Sequence, residues 1–105
     1  MRIVKMLIKN SAEFPYPTLK SVNLRNIEIV VLDVPPKAMF NENVFGVDST
    51  GRVIWQIQTV PHVRADSPYT NIEIDEASIV AYNFDGQALR LDAATGGVIA
   101  KEFHK

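Results

Sequence analysis

Two stretches of the 105-residue sequence repeat one design: Phe45-Gly-Val-Asp-Ser-Thr-Gly-Arg-Val-Ile-Trp-Gln-Ile57 and Leu89-Arg-Leu-Asp-Ala-Ala-Thr-Gly-Gly-Val-Ile-Ala-Lys-Glu-Phe103. Each is a short apolar strand ending in aspartate, a turn closing on glycine, and a second apolar strand. The aspartate carboxylate accepts backbone amides in such a turn, and the glycine supplies positive φ without steric cost. Gly51 and Gly96 stand 45 residues apart, within the ~40–45-residue period of a four-stranded propeller blade. The spacing predicts two blade-like repeats, at about 27–58 and 72–103, inside one all-β domain spanning residues 1–105.

Composition supports a folded core and removes several chemistries. The chain is 47% hydrophobic and 22% charged, as ordinary globular domains are. At this size about 65% of the unfolded surface can be buried. The formal net charge is −1, and the eleven basic residues are scattered, so no patch exists to neutralise a run of phosphates. Nucleic acid is therefore not an expected partner. The sequence has no cysteine, which removes disulfides, thiolate metal sites and thiol catalysis and suits a cytoplasmic location. Lys5 and Lys9 interrupt the apolar start before a signal-peptide core can form, and no run approaches the ~20 apolar residues that span a bilayer.

Along the chain, Ile3 to Ile8 reads as a first strand. Ser11 to Asn26, with Pro15 and Pro17, reads as a loop with at most one helical turn near Leu19 to Leu24, because proline lacks the amide donor a central element needs. Ile27, Ile29 and Val31 alternate with Glu28 and Val30 until Pro35-Pro36 stops the strand. Val44 to Val47 and Val53 to Ile57 form a hairpin around Gly51, with Val53, Trp55 and Ile57 on one face and Trp55 as a core anchor. Gln58 to Thr70 is a second loop. Ile72 and Ile74 alternate with Glu73 and Asp75, and Ile79 to Phe84, Ala88 to Leu91 and Val98 to Phe103 complete the series. The count is about eight antiparallel strands in hairpins and meanders, with little helix.

The run Val80-Ala-Tyr-Asn-Phe-Asp-Gly-Gln-Ala-Leu-Arg-Leu-Asp-Ala-Ala-Thr-Gly-Gly-Val-Ile99 resembles the repeat of PQQ-like, quinoprotein-type β-propellers. That pattern asks for a tryptophan four residues after the last turn glycine. Trp55 satisfies it after Gly51, whereas Ala100 holds the matching place after Gly96. The resemblance implies blade architecture and does not carry the dehydrogenase activity. Those enzymes resemble full rings of about eight blades, and this chain has length for two. The chain is also similar to small uncharacterised bacterial single-domain proteins, which implies a binding partner, with toxin antidotes among the examples.

Chemistry-bearing patterns are sparse. His62 and His104, the only histidines, do not sit at metal-ligand spacing, and no metal or cofactor is expected. Ser49, Ser67 and Ser78 lack a nucleophile elbow. Glu73 and Asp75 share a strand face about 7 Å apart at a rise of about 3.3 Å per residue, a separation open to acid–base work on a carbohydrate or metabolite. The favoured reading of the pair is an ordinary wet sheet face, the polar phase of a strand whose apolar phase is Ile72 and Ile74. The loop residues His62, Arg64, Asp66 and Tyr69, with Phe14 and Tyr16 beside the prolines, are residue types favoured at interfaces.

The sequence thus predicts a non-enzymatic protein-binding module, with no catalytic, cofactor or metal residues and no membrane partner. One alternative is a small enzyme using Glu73 and Asp75, which requires a concave pocket holding both. Another is a structural fragment that completes a propeller by self-association, a homo-oligomer joined through unpaired edge strands.

Overall fold

A computed structural model describes residues 8–60 and 66–103. Its strands are β1 (Thr18–Leu24), β2 (Ile27–Leu32), β3 (Val44–Val47), β4 (Val53–Gln56), β5 (Tyr69–Asp75), β6 (Ser78–Asn83), β7 (Gln87–Leu91) and β8 (Val98–Phe103). They form two four-stranded sheets in the orders β1-β2-β3-β4 and β5-β6-β7-β8, every neighbouring pair antiparallel. The only helical piece among the described residues is a 3-10 turn at Ser11–Glu13, closed by reciprocal capping between Asn10 and Glu13. The all-β expectation of eight strands in two blade-like units holds.

The membership of the first unit is corrected. Residues 18–24, read as loop, are strand β1, so the first sheet begins before residue 27. Val22 and Leu24 alternate inward, and Arg25 and Asn26 turn the chain at φ 54° and 65°. A two-residue turn with both φ positive matches the twist of a hairpin, and neither residue is the glycine that usually marks it. Ile8 lies outside every strand, and residues 3–7 fall outside the described part. Likewise β5 starts at Tyr69, earlier than the alternation from Ile72 indicated.

The sheets pack face to face. Ile29, Val31, Val44, Trp55 and Ile57 from the first meet Ile72, Ile79, Ala81, Leu89 and Leu91 from the second. A bulge opposite Val47 shifts the β3–β4 register, so Val53 turns away from Trp55 and joins Val30, Leu32, Phe45 and Val47 on the other face. That face is covered by the segment 8–16 and by the β2–β3 connector, with Phe14 4.7 Å from Phe45 and Tyr16 6.0 Å from Phe40 between ring centroids. The covering segment is held to β4 by an Asn10–Arg52 bridge and by the Val53 amide donating to the Lys9 carbonyl at 2.8 Å.

Trp55 joins the two units. Its indole N–H donates to the Ala93 carbonyl at 2.7 Å, and its ring lies where a Cβ on Gly46 or Gly96 would stand. Gly46 pairs with Trp55 across β3–β4, while Gly96 closes the last turn of the second sheet at φ 72°.

Both repeated turns work as their composition implies. Asp48 accepts from the Thr50 hydroxyl at 2.6 Å, the Thr50 amide at 2.9 Å and the Arg52 amide at 3.0 Å. The Thr50 hydroxyl first, and then these amides, hold its carboxyl below the ordinary 3.8. A depressed carboxyl stabilises the fold above its unfolded pKa, and that contribution is lost as pH falls through the lower folded value. Hydrogen exchange at the Thr50 and Arg52 amides is therefore expected to accelerate, relative to Ile29, as pH falls below 3.8. Asp48→Asn should flatten that dependence.

Candidate functional site

Where β2 ends and β5 begins, a buried polar network ties the sheets together. Asn43, fully buried, donates from Nδ2 to the Leu32 carbonyl at 2.9 Å and the Tyr69 carbonyl at 2.8 Å, and accepts from the Tyr69 amide at 2.7 Å. Asn41 accepts from the Ser67 amide at 2.8 Å, and the Ser67 hydroxyl accepts from the Asp85 amide at 3.0 Å. Beneath the β6–β7 turn, Asn83 donates to Gln87 at 2.7 Å and accepts the Gln87 amide at 3.0 Å. Buried polar groups satisfied in this way fix one geometry.

The network supports an apolar groove at this end of the molecule. Its volume is about 610 Å³, and Val34, Pro35, Pro36, Pro68 and Phe84 line it with Asp66 and Thr70. Phe84 is 60% exposed. Its position is set by its amide donating to the Pro68 carbonyl at 3.0 Å and by the Gly86 amide closing the turn onto Asn83 at 3.1 Å. An aromatic ring presented from a tight turn and faced by three prolines is a preformed apolar contact surface that loses little side-chain entropy on binding.

The chain belongs to the DUF7957 family. The model of this domain of unknown function matches residues 5–103. No curated protein and no solved structure matches it.

Of the nominated contact residues that are described, the DUF7957 domain brings Asp66 alone to the groove. Tyr69 is a correction: it is 2% exposed and belongs to the core, because it opens strand β5 in the inward phase instead of ending a loop. Burial first, and then the nearby Glu42 carboxylate, push its phenol pKa up. Phe14 and Tyr16 are half-buried and cover the first sheet. His62 and Arg64 lie outside the described residues. Val34, Pro35, Pro36 and Phe84 went unnominated. The available signal was Phe84 itself, an aromatic inside Asn83-Phe84-Asp85-Gly86, where a tight turn offers it no buried phase.

Glu73 and Asp75 do share a concavity, a cavity of about 340 Å³ on the outward face of the second sheet. Each carboxylate is engaged. Tyr82 donates to Glu73 at 2.9 Å, and Arg90 bridges Asp75 and the Ser78 hydroxyl at 2.6 Å each. The bond to Glu73, more than burial or the neighbouring charges, raises the Tyr82 pKa. Among the described residues no three His, Cys, Asp or Glu side chains group to hold a metal ion.

Proposed function

We propose that this DUF7957 domain is a non-enzymatic protein-binding module whose contact surface is the end groove. The observation that carries this reading is Phe84, 60% exposed on a turn braced by the Asn83–Gln87 pair, within a groove walled by prolines. Aromatic anchors in apolar pockets supply most of the energy of protein interfaces. The groove runs from the β2–β3 connector of one sheet to the β6–β7 turn of the other. A partner's extended segment with an apolar side chain at its centre suits that shape.

Two features weigh against the ring-completing alternative. The face of the first sheet that a further copy would have to cover is already occupied by Phe14, Tyr16 and Phe40. The turn at Gly51, which corresponds to the seat of Trp55 at Gly96, is occupied by Ser11, whose amide donates to the Gly51 carbonyl at 2.9 Å.

A photo-crosslinking amino acid at Thr70, beside the groove, should give one discrete protein adduct in the source cells, and Phe84→Asp should abolish it. With that partner purified, Phe84→Asp should weaken binding by about tenfold or more, as loss of an interface anchor does. Adducts that survive Phe84→Asp, or none from Thr70 at all, would refute the groove as the contact surface.

A further inference from the structure

Of the outermost strands of the two sheets, one has its free edge covered and the other does not. Along β4 the chain adds an extended segment of its own: the Val53 amide donates to the Lys9 carbonyl at 2.8 Å, the Ser11 amide donates to the Gly51 carbonyl at 2.9 Å, and Asn10 bridges Arg52. The innermost strands, β1 and β5, lie beside each other, with the Lys20 ammonium donating to Asn71 at 3.0 Å. Strand β8 pairs with β7 on one side and with no strand or segment among the described residues on the other.

Register makes β8 the counterpart of β4. Gly46 pairs with Trp55 and Phe45 with Gln56, as Arg90 pairs with Ala100 and Leu89 with Lys101, and the register shifts at the matching place in both pairs. Backbone groups alternate sides along a strand. The Ile57 amide donates inward to the Val44 carbonyl at 2.9 Å, so in β8 the matching amide, that of Glu102, faces β7. The amides and carbonyls of Ile99 and Lys101 then turn to the open edge, which is a template for a further extended chain. Ile99, 60% exposed, sits on that edge.

Pairing of β8 with the same strand of a second copy allows few registers, because a two-fold axis sets one residue opposite its own copy. An axis at Lys101 or at Glu102 sets like charges directly opposite, which is destabilising. An axis at Ile99 or at either end of the strand overlaps at most three residues of Val98–Phe103. An axis at Ala100 overlaps residues 98–102, sets the smallest side chain of the strand opposite itself, and places Ile99 opposite Lys101 of the second copy. The aliphatic stem of each lysine then covers an exposed isoleucine while its ammonium stays in water.

We infer that the protein forms a two-fold dimer through β8, with Ala100 on the axis, joining two four-stranded sheets into one continuous sheet. Pairing at this single edge closes at two copies, unlike a propeller ring, and it uses none of the residues of the Phe84 groove. So short an overlap buries less surface than a standard interface, and the dimer is therefore concentration-dependent.

Sedimentation velocity of the full chain from about 10 µM to about 1 mM, the range of weak association, tests the assignment, with circular dichroism checking the fold of each variant. Monomer is expected to pass to dimer, with no larger species. Lys101→Pro removes an amide on the open edge, a place where an edge strand tolerates proline, and should abolish the dimer. Ile99→Lys, at an exposed position, sets lysine opposite lysine and should weaken association by about threefold or more. Adding Lys101→Glu to Ile99→Lys sets opposite charges together and should restore it. A monomer at every concentration, a species beyond the dimer, a dimer that survives Lys101→Pro, or a double variant no tighter than Ile99→Lys would each overturn the assignment.

Discussion

Trp55→Ala is expected to destabilise the domain by about 3–5 kcal/mol, the usual cost of emptying a large aromatic site in a core. At roughly 4 °C or more per kcal/mol for a domain of this size, thermal unfolding monitored by circular dichroism should show a midpoint lower by about 12 °C or more. The loss is large because one side chain makes three joints. The indole fills the space over Gly46 within its own sheet, packs against Gly96 of the other, and gives its N–H to the Ala93 carbonyl. Trp55→Phe keeps an aromatic ring and removes the donor, leaving a buried carbonyl unpaired at about 1–3 kcal/mol.

The two turn glycines separate backbone cost from docking cost. Gly51 and Gly96 have similar positive φ, 87° and 72°, so an alanine at either pays about 1–2 kcal/mol for the left-handed backbone. At Gly51 the added Cβ would meet only the Ser11 hydroxyl at 3.4 Å, whereas at Gly96 it would stand 2.5 Å from the indole. Gly96→Ala should therefore exceed Gly51→Ala by about 1–3 kcal/mol, the cost of overpacking. Equal effects would mean that the tryptophan does not hold the two sheets together.

The parts of this fold legible from sequence were those written in local chemistry. Asp48 and Asp92 announce turns because a carboxylate after a strand accepts the next amides, and the Ala94 amide does donate to Asp92 at 2.8 Å. Trp55 as an anchor followed from its place in the repeat. Strand β1 was hidden because it is largely exposed, so Lys20, Ser21 and Asn23 dilute the Val22–Leu24 alternation, and the two nearby prolines favour a loop. The groove was hidden for another reason. Its walls come from Pro35-Pro36, Pro68 and Phe84, segments brought together only when the sheets pack, and each alone reads as punctuation. The Glu73–Asp75 pair was visible as a face, while its tie to Tyr82 and Arg90 depends on cross-strand register that composition does not reveal.

Asn43→Ala should be nearly as damaging as loss of the tryptophan, although it removes no apolar surface worth the name. The Asn43 side chain acts as an inserted peptide group, with Oδ1 accepting the Tyr69 amide and Nδ2 donating to the carbonyls of Tyr69 and Leu32. Alanine leaves these three backbone groups buried without that partner, each at about 1–3 kcal/mol, so the loss should reach about 3 kcal/mol or more. Asn43→Asp is the more discriminating test. One carboxylate oxygen can still take the Tyr69 amide, but the other then faces two carbonyl oxygens with no proton to share. Burial among acceptors raises the pKa of such a carboxyl, so the variant should be least stable at neutral pH and recover part of the loss as acidification supplies a donor. Urea unfolding across pH would read this directly, and Asn43→Ala would lack the recovery. If the two variants shared one pH profile, the amide would not bridge β2 to β5, and the groove above it would need another support. If they diverge, the rigidity of the Phe84 surface traces to a single buried asparagine that pairs with both sheets.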